Sequence, residues 1–294
     1  MYERNCEPLP RGDATIVFAD QLAKIAKHAS GEPAELTNET VVRWADTSIQ
    51  PHFAAMARRL LLPGSGLFGT ESLKQLVSDA SQGKACLLCL NHRSNLDVPT
   101  LLALLEDHDQ ETLFPPIVWI AGRKLEEENG MTRVLAQCFN RVIVTPHSWF
   151  NDPHSEEAIH EARCLNIAAE RAIAKLRNQG WVFALFPAGT RTRPDDKSTE
   201  EAIAEMDSYL RTFDYLVLGR IDGCTMPVTK DHDLAHETPK LDRVTCIFGP
   251  IERTAQFRSN AAKQFEERDQ RSATAEAITQ SIMSLGAVNR RDHE

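Results

Sequence analysis

The sequence predicts an α/β fold: a layered, mostly parallel mixed sheet flanked by helices, preceded by an N-terminal helical domain. Three observations carry this expectation. From residue 84 onward, short apolar runs alternate with longer amphipathic stretches, the pattern of strands joined by crossover helices. Residues 14 to about 82 instead space their apolar side chains as helices do. The two most chemically loaded runs, 91–97 and 186–194, each follow an apolar run directly. Ligands of parallel sheets bind at just such carboxyl ends of strands. The expected division is 1–83 for the helical domain and 84–294 for the α/β domain with its C-terminal helices.

Taken in order, Leu22, Ile25 and Ala26 form a short stripe on a first helix. Asn38 can cap a second, carrying Val41, Val42 and Trp44. Pro51 suits the first turn of a third, through Phe53, Met56, Leu60 and Leu61, and Pro63-Gly64-Ser65-Gly66 ends it. Thr70 can cap a fourth, with Leu73, Leu76 and Val77 on one face and Gly83 past its end. Strands are expected at 85–90, 117–121, 141–145, 181–186, 225–229 and 243–248. The longest helix, about 155–179, has an apolar stripe of Ile159, Ala162, Leu165, Ala169, Ala172, Ile173 and Leu176, and Gly180 stops it. One or two polar helices follow residue 252.

The chain of 294 residues can bury a sizeable core in one or two domains, and its 42% apolar content is globular. A net charge of −9, from 33 basic and 42 acidic residues, argues against a general nucleic-acid partner. Seven cysteines, an odd number spread along the chain, suit reduced thiols in a reducing compartment. Cys86 and Cys89 have metal-like spacing, but no second pair of this kind exists, and buried thiols on a strand are the plainer reading. The opening residues lack the apolar core of a signal peptide, and no window approaches the ~18 apolar residues of a membrane span. A cytoplasmic setting is therefore expected. The stretch from His52 to Phe68, with Arg58 and Arg59 among leucines, offers at most a peripheral membrane contact, or else a buried helix.

Chemistry concentrates in few places. His92 stands at the end of a strand-like run, and Asp97 follows five residues later, past a tight turn. An imidazole with an orienting carboxylate is a general base. The plainer alternatives are a satisfied strand-end histidine and a helix N-cap at Asp97, since Val98-Pro99 and an apolar run come next. Arg191 and Arg193, two apart beyond a Gly-Thr turn, can aim two guanidinium forks at one anion; alternatively they pair with Asp195 and Asp196 in a solvated loop. His147 ends another expected strand. His232 and His236 have the i, i+4 spacing of a metal pair, but no third ligand is evident.

These motifs together resemble the H-x4-D glycerolipid acyltransferase family. His92-Arg93-Ser94-Asn95-Leu96-Asp97 is similar to its first block, and Phe186-Pro187-Ala188-Gly189-Thr190-Arg191 to its third. Met226-Pro227-Val228, on an expected late strand, looks like the fourth, and Cys246-Ile247-Phe248-Gly249-Pro250 like the strand end that closes the domain. Within the family the chain looks most like soluble, plastid-type glycerol-3-phosphate acyltransferases, whose third block also ends in Arg-x-Arg-Pro, here Arg191-Thr192-Arg193-Pro194. The second block is poorly kept in Asn140-Arg141-Val142-Ile143-Val144-Thr145-Pro146, where Pro146 replaces the basic residue expected before His147.

The resemblance implies an O-acyltransferase that moves a fatty acyl group from acyl carrier protein or a CoA thioester to the sn-1 hydroxyl of glycerol 3-phosphate. His92 would be the base and Asp97 its partner; Arg191, Arg193 and His147 would hold the phosphate; Gly189 and Thr190 N–H groups would serve as oxyanion donors. The chemistry needs no metal or other cofactor. Acylation of lysophosphatidate, and a non-catalytic module binding phospholipid or carrier protein, are the alternatives.

Overall fold

The structure, a computed structural model, describes residues 8–29, 35–127, 131–229 and 236–289. The first part of the chain forms α1 (Ala14–Val17), α2 (Ala19–His28), β1 (Val42–Arg43), α3 (Gln50–Leu60), β2 (Gly66–Phe68) and α4 (Thr70–Ser81). The helix expected around Val41, Val42 and Trp44 is thus a short strand and a loop. β-branched Val42 pairs with Val142 at a sheet edge, and this long-range contact outweighs the local helical spacing. Pro51 does sit in the first turn of α3, whose Phe53, Met56 and Leu60 are fully buried. Thr70 opens α4 rather than capping it. The cap is Gly69, at φ 68°, where a Cβ would lie 2.1 Å from the Phe248 carbonyl oxygen, so only glycine fits.

The remainder alternates as expected: β3 (Cys86–Leu90), α5 (Asp97–Asp107), β4 (Ile117–Gly122), α6 (Lys124–Glu127), α7 (Met131–Ala136), β5 (Arg141–Val144), α8 (Glu156–Arg177), β6 (Val182–Leu185), α9 (Met206–Leu210), β7 (Tyr215–Asp222), β8 (Thr245–Arg253), α10 (Thr254–Gln264) and α11 (Gln270–Asn289). Ser155 caps α8 by accepting from the Ala158 N–H at 3.2 Å. One expectation fails clearly. The strand placed at 225–229 is Tyr215–Asp222 instead, and Met226-Pro227-Val228 lies in the loop beyond it. Proline has no N–H to give, and β7 is an interior strand bonded on both sides.

All eight strands form one sheet, in the order β1-β5-β4-β6-β3-β7-β8-β2. The central run from β5 to β7 is parallel; β1 and β5, and β7 and β8, pair antiparallel, which makes the sheet mixed. Both edge strands come from the N-terminal part of the chain. Along β3, side chains alternate between two apolar layers. Cys86, Leu88 and Leu90 join the layer containing α3, α4 and α5, while Leu87 and Cys89 join that containing α8, α10 and α11. The chemistry-bearing loop after β3 therefore springs from a strand packed on both faces, next to β6 on one side and β7 on the other.

The His52–Phe68 stretch is a core element rather than a lipid-facing one. Arg58 is tied to Glu106 and Asp107, each at 2.7 Å, and Arg59 donates to the Val17 carbonyl at 2.7 Å. Among the described residues, no helix is long and apolar enough to cross a membrane. Arg141, in the weakly kept second block, is 1% exposed; burial lowers its pKa against the opposing pull of Glu126, 2.6 Å away.

Candidate active site

Leaving β3, the chain turns at Ser94 and enters α5 at Asp97. The turn brings the Asp97 carboxylate back over the loop. Its Oδ2 lies 2.8 Å from His92 Nδ1 and accepts the N–H groups of Arg93 at 2.6 Å and Ser94 at 2.9 Å. An ionised carboxylate only accepts, so Nδ1 carries the proton and Nε2 is left as the basic nitrogen. Nε2 has no hydrogen bond among the described residues. Asp97 is 4% exposed. It stands in the first turn of α5, not at the cap, which is Leu96, and its bonds go to loop N–H groups upstream rather than to the helix. The N-cap alternative is thereby corrected.

His92 is held from below as well as from the side. Its ring stacks on Phe186, with centroids 3.9 Å apart and planes 6° from parallel, and Phe186 leans on Trp119 at 5.0 Å. His92 and Phe186 lie just past the ends of neighbouring β3 and β6, and Trp119 stands within the adjoining β4. The backbone carbonyl of His92 accepts the Thr192 N–H at 2.7 Å, so the two motif loops are bonded together. On the other flank, the Asn91 side chain accepts the Ile221 N–H at 2.6 Å and donates to the Ile221 carbonyl at 3.0 Å, fixing the loop to the end of β7. Cys224 donates its thiol to the Arg93 carbonyl at 3.3 Å; burial, and then the nearby Asp97 charge, push that thiol up to about 11.

The loop after β6 turns sharply. Gly189 adopts φ 67° and its N–H closes the turn onto the Phe186 carbonyl at 2.9 Å. That N–H is engaged within the loop, whereas the Thr190 N–H makes no hydrogen bond among the described residues. The arginines diverge in role. Arg191 forms an ion pair with Glu237, which is fully buried and also accepts from Asn95 at 3.3 Å. Arg193 is half-buried and its guanidinium makes no ion pair or hydrogen bond among the described residues; its backbone N–H donates to Thr199 Oγ1 at 2.8 Å. Asp196 accepts from Ser198 rather than from either guanidinium. His147 is exposed, in a short 3-10 turn after β5. It shares the carboxyl rim with His92 but stands three strands away, roughly 14 Å at usual strand spacing.

A cleft opens at His92. Asn91, Arg93, Pro187 and Ala188 line it on the loop side, Arg220 of β7 joins them, and α11 closes it with Ile278, Thr279, Ile282 and Met283. Phe186 and Asn91 lay inside the quoted motifs without an assigned part, whereas Glu237 and α11 carry no sequence signal that links them to His92. His232 falls outside the described residues, and among the described residues no cluster of three or more His, Cys, Asp or Glu is placed to hold a metal ion.

No curated protein sequence matches the chain. The sequence model of the family described as Acyltransferase, by contrast, matches residues 69–229, a stretch that contains His92, Asp97, Arg191 and Arg193. That is more than half of the 294 residues. With a histidine–aspartate pair on the carboxyl rim and a matching family model across both motif loops, the chain belongs to the acyltransferase family.

Proposed function

We propose that this acyltransferase moves a fatty acyl group from an acyl thioester, of acyl carrier protein or CoA, to the sn-1 hydroxyl of glycerol 3-phosphate. The observation that carries the reading is the 2.8 Å contact of His92 with a buried Asp97, beside a loop holding two guanidinium groups. The acceptor hydroxyl gives its proton to His92 Nε2 while its oxygen attacks the thioester carbonyl carbon. Asp97 stabilises the imidazolium that forms. The tetrahedral intermediate places its oxyanion toward the loop N–H groups, with Thr190 as the available donor. Collapse breaks the C–S bond, and the leaving thiolate takes the proton back from His92.

Arg193 is the natural partner for the acceptor phosphate, since its guanidinium has no other partner among the described residues. Arg191, anchored by Glu237, adds positive charge at a fixed place beside it. Holding the phosphate makes attack effectively intramolecular. The test is turnover of an acyl thioester with radiolabelled glycerol 3-phosphate, wild type against His92→Ala. Product that forms in the wild type and falls ~100- to 10,000-fold in the variant supports the reading. Product only when lysophosphatidate replaces glycerol 3-phosphate moves the assignment to the second acylation. Binding of phospholipid without turnover of either acceptor makes the protein a binding module.

A further inference from the structure

We infer that α11 supplies the wall that takes the donor's acyl chain, with Met283 as the side chain that gauges its length. The inference rests on the acyl-thioester reading above and assigns a part of the chain outside residues 69–229, the stretch matched by the family.

The cleft at His92 is mainly polar on its loop side, with Asn91, Arg93, Thr192 and Glu200, and mainly apolar on its helix side, where Thr279 is the one polar side chain in the lining. Ile278 and Ile282 are buried against the sheet, and Met283 beside them is 48% exposed. Few large apolar side chains of the described residues stay this bare. A second one, Ile203 at 39%, lies beside Gly189 on the adjoining loop, where its N–H donates to the Pro187 carbonyl at 2.9 Å. A bare apolar side chain in the lining of the catalytic cleft, with a second next to Ala202 of that lining, points to an apolar ligand. In a thioester, the chain starts at the carbonyl carbon that the hydroxyl attacks. Whatever covers the chain must begin within a few bond lengths of the base, and the Ile278–Met283 face is the apolar helix surface that lines the His92 cleft.

The wall is fixed in place. Thr279 Oγ1 accepts the Ala202 N–H at 2.9 Å, and Arg220 donates to the Met283 carbonyl at 3.0 Å. At Gly286, a Cβ would come 2.5 Å from Arg220 Nε, so α11 and β7 are in close contact there. A rigid backbone bearing one flexible thioether suits a surface that discriminates chain length while adapting to chain shape.

Met283→Trp enlarges the side chain on the α11 wall of the cleft and leaves His92, Asp97, Arg191 and Arg193 in place. Rates with butyryl-, octanoyl- and palmitoyl-CoA should show the palmitoyl-to-butyryl ratio of kcat/KM falling at least ~10-fold, since one methylene in an apolar pocket is worth that much. Binding of a non-hydrolysable palmitoyl thioether of CoA should weaken by a similar factor, with the butyryl analogue unaffected. Ile167→Trp, on the exposed face of α8, should change neither. An unchanged ratio in a folded Met283→Trp protein overturns the inference, and so does equal loss for both chain lengths. A wild type that binds the palmitoyl thioether in a Met283-dependent way, yet transfers nothing to glycerol 3-phosphate, overturns the acceptor assignment and supports the wall. One that binds neither this thioether nor the same palmitoyl thioether of acyl carrier protein, and turns over no acyl thioester, overturns both.

Discussion

Replacing Asp97 by asparagine separates charge from scaffold at the catalytic pair. The Asp97 Oδ2 atom serves three donors, His92 Nδ1 at 2.8 Å and the N–H groups of Arg93 and Ser94 at 2.6 and 2.9 Å. Asparagine keeps the shape and can present its carbonyl oxygen to both N–H groups, so the loop loses only the charge-assisted part of its bonds, about 1 kcal/mol. The imidazolium formed during proton transfer loses its counter-charge. For charges ~4 Å apart in a partly buried setting that attraction is worth about 4 kcal/mol, or roughly a thousandfold in rate. Alanine removes the acceptor as well. Two loop N–H groups are left unsatisfied, costing roughly 2–6 kcal/mol together. Single-turnover rates and denaturant melts on both variants provide the comparison. The expected outcome is two slow enzymes, of which only Asp97→Ala is markedly less stable. An Asp97→Asn protein that turns over within ~10-fold of wild type would show the carboxylate to be a loop brace and nothing more.

The two arginines should part company under the same measurements. Arg191→Ala strips the charge partner from buried Glu237 and should cost about 3 kcal/mol in unfolding free energy, whereas Arg193→Ala should stay within ~0.5 kcal/mol yet raise KM for glycerol 3-phosphate and not for the donor. Equal KM increases for both substrates would remove Arg193 from the phosphate site. Thiol chemistry gives an independent check on the packing around the pair. With its thiol raised to about 11, Cys224 should react slowly with an alkylating reagent at pH 8 and speed up ~10-fold per pH unit above it, while buried Cys86, Cys89, Cys138 and Cys246 stay protected until the protein unfolds. Rapid labelling of Cys224 at pH 8 would contradict its hydrogen bond to the Arg93 carbonyl.

Local chemistry was legible in the sequence wherever one short segment carries the whole message. The His92–Asp97 turn, the α8 stripe with its Ser155 start, and the Pro51 helix are of this kind. What escaped depends on contacts between distant segments. The run Leu216-Val217-Leu218-Gly219-Arg220-Ile221 is apolar enough for an interior strand, and it, rather than the proline-bearing Met226-Pro227-Val228 beyond it, takes the place between β3 and β8. His147 does reach the carboxyl rim as expected; its distance from His92 follows from strand order, which no local pattern encodes. Glu237 meets Arg191 across 46 positions of chain, and nothing in either segment announces the other. Val42 pairs with Val142 for reasons equally invisible in its own neighbourhood.

The placement of the two outermost strands has a consequence for how the molecule is made. β1 and β2 close opposite ends of the sheet, and their partners are β5 at one end and β8, centred some 180 positions later, at the other. Synthesised from the N-terminus, the chain exposes both of these strands long before β8 exists to receive β2. Contacts of such sequence separation form late and slowly. Until they form, the growing sheet shows unpaired N–H and C=O groups at its margins, the surface on which chains aggregate. The margins are short, two residues of β1 and three of β2, which limits the template offered to a neighbouring chain. Deleting the residues before β3 would bare β5 and β8 together. A shortened protein of that kind should precipitate during refolding even with its catalytic loops intact.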